Sequence, residues 1–333
     1  MWYPALRPVL FALEPERAHA LALAGLRVAG RVPARTPPAA AVELMGLHFP
    51  NRVGLAAGFD KNAVAVDGLG ALGFGFIEVG TVTPRPQRGQ PRPRLFRLPA
   101  SGALVNRLGF PNDGADRIAA RLRHRRYRGI VGVNIGKNAA TPITRAVDDY
   151  VSCLRAVHAV ADYIAVNVSS PNTAGLRDLQ ATDRLEPLLC ALLDERTRLS
   201  AGRRLPLLVK IGPDLAPSAL SDIAGLVSRL RLDGVIATNT TVRHAHLAAG
   251  IEPQRGGVSG TPLRASALHT VAELRAHLGP DVPIVGIGGI DSPQAALAMR
   301  AAGADLVALY TGLVYRGPAL VAHCVRALAG RSP

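Results

Sequence analysis

Lysine is almost absent from this 333-residue chain. Of 39 basic residues only Lys61, Lys137 and Lys210 are lysine, so the formal net charge of +15 is carried by arginine. A surplus of that size can mark nucleic acid, an anionic membrane or an acidic ligand as partner. Here it accompanies abundant Ala, Gly and Pro and reads as compositional drift over a surface. The one dense cluster, residues 117–128 (RIAARLRHRRYR), is expected on an exposed helix, and no nucleic-acid partner is expected.

Other absences narrow the field further. Three cysteines stand singly in apolar stretches, with no CxxC spacing, which excludes a disulfide framework and a cysteine metal site. Cys153, Cys190 and Cys324 are expected to be small buried hydrophobes in a reducing compartment. His244 and His246 form the only close histidine pair and lack further ligands, so no metal is expected. No GxSxG elbow or Ser–His–Asp grouping is visible, which argues against a hydrolase. No uncharged apolar run approaches the ~18 residues needed to span a bilayer. Arg7, Glu14, Glu16 and Arg17 interrupt the first apolar segment, so a signal peptide fits poorly.

What the N-terminus does contain is amphipathic. Trp2, Tyr3, Leu6, Val9, Leu10 and Leu13 recur at helical spacing, and Pro15 opens a second pattern through Ala18, Leu21, Ala22 and Leu26. Two such helices either lie in a membrane interface or cap one end of the main fold. We read residues 1–40 as this extension and 41–333 as one domain.

From residue 50 the chain repeats one grammar, a short β-rich run followed by a helical stretch. The runs are 53–57, 76–82, 130–136, 163–169, 207–212, 235–239, 284–288 and 306–311. Most are continuously apolar, as strands buried on both faces must be. Helical patterns at 142–161, 216–232 and 292–302 follow three of them, the last opened by Asp291-Ser292-Pro293. Eight alternating units predict an α/β fold, a closed (β/α)8 TIM barrel. Two connections are long. Residues 83–129 hold a segment, PRLFRLPASGALVNRLGF, that alternates like a hairpin beside the barrel mouth, and 240–262 is polar and glycine-rich. Insertions of this kind build lids or binding walls.

In such a barrel the chemistry sits at the C-terminal strand ends. All three lysines fall there, as do Asn134, Asn167 and Asn239, with Asn106, Asn138 and Asn172 in adjacent loops. Each asparagine alone could serve turn chemistry. Six on one rim with three ammonium groups suit a planar, multiply hydrogen-bonded anion. Gly286-Ile287-Gly288-Gly289 and Tyr310-Thr311-Gly312 end the last two strands, where barrels commonly hold phosphate, although the glycines could serve only tight turns. Phosphate with a flat polar ligand suggests FMN and a second planar molecule. The run Asn167-Val168-Ser169-Ser170-Pro171-Asn172-Thr173 positions a serine hydroxyl between two asparagines. A barrel aldolase using Lys210 as a Schiff-base nucleophile is the flavin-free alternative.

Eleven segments in order carry a family resemblance: GLAAGFDKN (54–62), EVGTVTPRPQ (78–87), PRLFRL (93–98), NRLGFPN (106–112), GVNIGKN (132–138), NVSSPNT (167–173), VKIGPDL (209–215), ATNTT (237–241), GGVSG (256–260), GIGGI (286–290) and LYTG (309–312). Through them the chain resembles the quinone-dependent, membrane-associated dihydroorotate dehydrogenases over almost its whole length. The resemblance implies that FMN is contacted by Ala57, Gly58, Lys61, Thr81, Asn134, Asn167, Lys210 and Thr238. Its phosphate end would be held by Gly260, Gly289, Tyr310 and Thr311. Dihydroorotate, or orotate as product, would be held by Lys61, the segment Asn106, Arg107, Leu108, Gly109 and Phe110, and Asn167, Asn172, Asn239 and Thr240. Ser170 would be the catalytic base, where the soluble classes use a cysteine that this loop lacks. His19, Arg97 and Tyr310 match positions near the path of a membrane quinone. The implied location is peripheral, on the cytoplasmic face of the cell membrane. Departures are mild: Thr311 stands where serine is common, and Gly212 where alanine is.

Overall fold

Strands that are apolar on both faces have nowhere to go but the middle of a closed layer structure, and in the computed structural model they do so. Residues 3–30, 40–200, 202–243 and 255–330 are described; Trp2 and the His244–His246 pair lie outside them. Eight parallel strands close into a barrel: Val53–Leu55, Phe76–Val82, Ile130–Ile135, Tyr163–Asn167, Leu207–Ile211, Gly234–Ala237, Ile284–Ile287 and Leu306–Leu309. We number them one to eight. Strand eight returns beside strand one, with Val307 opposite Val53, which completes the ring.

The side-chain period of two divides each strand between two cores. Phe76, Tyr163, Ala165, Leu208, Ile236, Val285 and Leu306 point inward, while Ile77, Val79, Val133, Ile164, Val166 and Val209 pack outward against the helices. The bottom of the barrel is filled by aromatic rings, Phe49 lying 5.6 Å from Phe76 in an edge contact. Phe49 comes from a small antiparallel hairpin, Val42–Leu44 with Leu47–Phe49, that precedes strand one. Gly132 shows how tight this floor is: a Cβ there would lie 2.0 Å from the Tyr163 ring. The C-terminal halves of the strands are left open to carry polar side chains.

Seven of the eight predicted strands differ from those observed at one or both ends, mostly stopping one or two residues early. The residues beyond Leu55, Asn167 and Leu309 leave the ladder to form the mouth. The predicted helices are present as Ala146–Val157 (after a 3-10 turn), Pro217–Arg229 and Pro293–Ala301. Ser292 caps the last, its hydroxyl accepting the Ala295 N–H at 3.2 Å. The basic cluster departs from expectation, because its helix spans only Ala115–Arg123. Beyond it Arg125 pairs with Asp162 and Arg126 with Asp67, so part of the cluster is spent on structural ion pairs. Cys153 and Cys324 are buried, but Cys190 is only half-buried.

The long connections meet. Leu95–Leu98 and Ala103–Asn106 form the predicted hairpin, and Gly257–Gly260 from the other insertion adds a third antiparallel strand. The N-terminal helices, Tyr3–Ala12 and Pro15–Ala29, stand beside this sheet. Arg97 donates to the carbonyls of Leu10 (3.2 Å) and Leu13 (2.8 Å), and Tyr3 donates to that of Val314 at 2.5 Å. They thus pack at the mouth end of the barrel.

Candidate active site

The centre of the mouth is an ion pair inside the barrel. Lys210, on strand five, donates to Glu78 of strand two at 2.9 Å, and both side chains are almost fully buried. Glu78 also accepts from Asn134 (3.0 Å) and Tyr163 (3.1 Å), so each carboxylate oxygen is satisfied. Above it lies a layer of amides. Thr81 donates to the Asn134 side-chain carbonyl at 2.5 Å, and the Asn167 amide donates to both at 2.9 and 3.1 Å. Asn239 in turn donates to Asn167 (3.2 Å) and Ser169 (3.1 Å). Every member is held by a neighbouring strand end, which fixes which way each amide faces.

One cavity opens over this layer. It is lined by Ala57, Gly58, Lys61, Thr81, Asn167, Ser170, Lys210, Thr238, Asn239 and Thr240 from the barrel loops. Asn106, Leu108, Gly109 and Phe110 reach it from the hairpin, with Asn172, Gly260, Gly289, Tyr310 and Thr311. Ser170 is 5% exposed, and its Oγ accepts the Asn172 N–H at 3.3 Å. Asn172 donates to Asn106 at 2.9 Å, joining loop four to the hairpin. At the far end Thr311 donates to the Ser259 hydroxyl at 2.8 Å. Gly260 there has φ of +97°, and a Cβ on it would meet the Gly102 carbonyl at 2.2 Å. Gly289 has φ of +66°, with a Cβ 2.5 Å from that of Arg264. Only glycine gives a cradle this shallow.

Not every expected residue reaches the cavity. Asn134 lies beneath it, holding Thr81, Asn167 and Glu78. Arg107 turns away, donating twice to the Pro93 carbonyl at 3.1 and 2.7 Å. Lys137 and Asn138 do not converge on the rim with the others, contrary to expectation. Lys137 donates to the Thr141 carbonyl at 2.9 Å, and Asn138 ties the loop to Thr83, Arg85 and Gln87. Two residues that sequence reasoning passed over matter. Glu78 is the sole charge within an apolar strand, FIEVGTV, and that was its signal. Arg177 donates to the Ser169 and Thr240 carbonyls at 3.2 and 2.8 Å and pairs with Asp214, and nothing local marks it.

A second cavity, about 580 Å³, lies between the N-terminal helices and the barrel. Its walls are apolar apart from His19 and Arg97, and Tyr310 lines both cavities. His19 donates to the Phe59 carbonyl at 2.7 Å, and burial, helped by the nearby Lys61 charge, lowers its pKa to about 4. Burial also lowers Lys61 to about 8, against the upward pull of Glu16 and Asp60. Its ammonium donates to the Gly58 carbonyl at 2.6 Å. Burial pushes the Tyr310 hydroxyl up to about 12, so it stays protonated and donates to Gly58 at 3.2 Å.

A family model described as dihydroorotate dehydrogenase matches residues 39–331. The chain belongs to this family. It is 53% identical over 332 residues to a protein of Aromatoleum aromaticum named dihydroorotate dehydrogenase (quinone), covering 98% of this chain and 95% of that one. A protein of the same name from Azoarcus sp. is 51% identical over 334 residues, covering 99% of each. Among solved structures, the Eimeria tenella family member crystallised with ferulenol superposes with a TM-score of 0.88 at 38% identity, over 96% of this chain and 93% of that one.

Proposed function

We propose that this protein oxidises dihydroorotate to orotate in pyrimidine biosynthesis, with FMN as first electron acceptor and a membrane quinone as the last. The observation that carries the reading is Ser170, a buried hydroxyl facing a cavity built of four asparagines, two lysines and a glycine cradle.

The residues fit FMN. Gly260 and Gly289, with the Thr311 and Ser259 hydroxyls, suit a phosphate; Ala56, Ile287 and Ala308 offer an apolar wall for a flat ring. Thr81, Thr238 and Lys210 supply hydrogen-bonding groups at its polar edge, while Ala57 and Gly58 let the backbone approach. When bound, FMN supplies the acceptor for the hydride that leaves ring carbon six of dihydroorotate. Asn106, Asn167, Asn172, Asn239 and Thr240 match the substrate's amides, and Lys61 its carboxylate. Ser170 takes the proton from ring carbon five as its own hydroxyl proton is passed on through a relay to water. The Asn172 N–H on its Oγ stabilises the alkoxide character that this transfer requires, and Leu108, Gly109 and Phe110 shield the reacting carbons from bulk solvent.

The second cavity is where the quinone would be reduced, beside His19, Arg97 and Tyr310. Among the described residues five of the six exposed large hydrophobics, Leu6, Val9, Leu13, Leu21 and Val28, sit on the N-terminal helices or directly after the first. No described helix is long and apolar enough to cross a membrane. An amphipathic pair resting in the cytoplasmic interface would admit a lipid-soluble acceptor from the side, with arginines favouring anionic headgroups.

The test is anaerobic mixing of the purified protein with dihydroorotate while flavin absorbance is followed, then addition of a soluble quinone analogue. Bleaching by substrate and recovery with quinone, but not with fumarate or NAD, is expected. A flavin spectrum that dihydroorotate leaves unchanged refutes the substrate.

A further inference from the structure

The second N-terminal helix, Pro15–Ala29 (helix two), is fastened to the substrate site at two points. His19 holds the Phe59 carbonyl, in the loop that also carries Gly58 and Lys61. One turn earlier, Glu16 receives the Arg94 guanidinium at 2.9 to 3.2 Å. Arg94 is 8% exposed and also donates to the Arg88 and Gln90 carbonyls at 2.6 and 2.8 Å. The Gln90 N–H then donates to the Leu108 carbonyl at 3.0 Å, on the segment that walls the substrate cavity. Glu16 is itself only 15% exposed, and its outer partner, Arg92, is 69% exposed.

This placement bears on Lys61. Its ammonium rests on the Gly58 carbonyl and makes no ion pair among the described residues. The charged and titratable groups that act on it are Glu16 and His19 from helix two, Asp60 from its own loop, and Arg94 from the hairpin. Asp60 is committed to the backbone N–H groups of Asn62, Val64 and Ala65. Glu16 is the counter-charge that comes from outside the barrel. It also neutralises Arg94, which otherwise repels Lys61.

We propose that Glu16 is a positioning residue of the dehydrogenation half-reaction: clamped to Arg94, it makes Lys61 a cation fit to receive the substrate carboxylate, so the quinone-side helix tunes dihydroorotate and orotate binding. This rests on the reading of Lys61 as a carboxylate-binding group. Both consequences of losing the Glu16 charge, a missing anion and a freed Arg94, favour deprotonation of Lys61. Lys61 titrates at about 8. A downward move of roughly one unit cuts its protonated fraction at pH 8 about fivefold, and apparent affinity falls with that fraction. At pH 6 Lys61 is protonated either way.

The experiment is titration of oxidised, flavin-loaded protein with orotate, followed by the flavin spectrum, from pH 6 to 9. For E16Q the orotate Kd should equal that of the parent at pH 6 and exceed it about fivefold at pH 8. R92Q, which leaves the Arg94 clamp in place, should track the parent throughout. A Kd for E16Q raised equally at both pH values would reduce Glu16 to a fold-supporting residue, and an unchanged Kd would remove it from substrate binding; either result overturns the proposal. Failure of the parent protein to bind orotate at all would instead strike the functional reading beneath it.

Discussion

Replacing Glu78 by glutamine tests whether the buried ion pair organises the barrel mouth. The amide keeps the shape and one carbonyl, so Asn134 and Tyr163 retain a partner while the charge is lost. Lys210 then holds an ammonium at 5% exposure with no anion beside it. Breaking a buried pair from one side typically costs about 3–5 kcal/mol, because the remaining charge is stranded. Removing both charges together, in E78Q/K210M, should cost less than E78Q alone, below about 2 kcal/mol. The assay is urea unfolding of flavin-free protein followed by circular dichroism, since bound FMN would add its own stabilisation by mass action. A loss under about 1 kcal/mol for E78Q, or a double variant whose loss is the sum of the singles, would show that the two charges do not depend on each other.

Three further outcomes are expected. Ser170→Ala should keep its flavin and bind orotate while turnover falls about 10²–10⁴-fold, the usual worth of a positioned base; near-normal turnover would remove Ser170 from that role. Gly260→Ala forces a Cβ against the Gly102 carbonyl at a φ of +97°, so flavin content on purification should drop, which absorbance ratios report directly. His19 titrates at about 4, below its ordinary 6.5, because burial disfavours the charged form. The unfolded chain therefore takes up the proton first, and the stability that His19 contributes is present above pH 6.5 and is lost as pH falls towards 4. His19→Gln, which can still donate to Phe59, should flatten that acid limb in thermal unfolding measured between pH 4 and 7.

Much of the barrel was legible because its signals are local. A run such as Leu207–Ile211 is apolar on both faces whatever surrounds it, and Ser292-Pro293 opens a helix by its own hydrogen bond and ring geometry. The positions of Asn167 and Lys210 at strand ends followed from the same register, whereas Ser170, in the loop beyond Asn167, was marked by the run it shares with two asparagines and by the family resemblance. The misplacements share a cause. Lys137, Asn138 and Arg107 sit one or a few residues beyond a strand, where the direction of a side chain depends on the loop's path and not on any period. Lys137 turns back to the Thr141 carbonyl of its own loop, Asn138 towards the loop after strand two, and Arg107 towards Pro93, because carbonyls wait for a donor there.

Glu78 and Lys210 mark the boundary most clearly. Each is visible in sequence as a lone charge in an apolar strand, which says that it must be paired, since an isolated charge cannot be buried. Which partner it takes was settled only by closure of the barrel, which sets strands two and five across one interior from positions 132 residues apart. The same holds for the three-stranded sheet beside the mouth and for the Glu16–Arg94 clamp. Hydrophobic period, turn residues and caps are properties of neighbouring residues and survive in a one-dimensional reading. Ion pairs, amide orientation and shared cavities depend on which distant segments meet, and only the folded chain decides that.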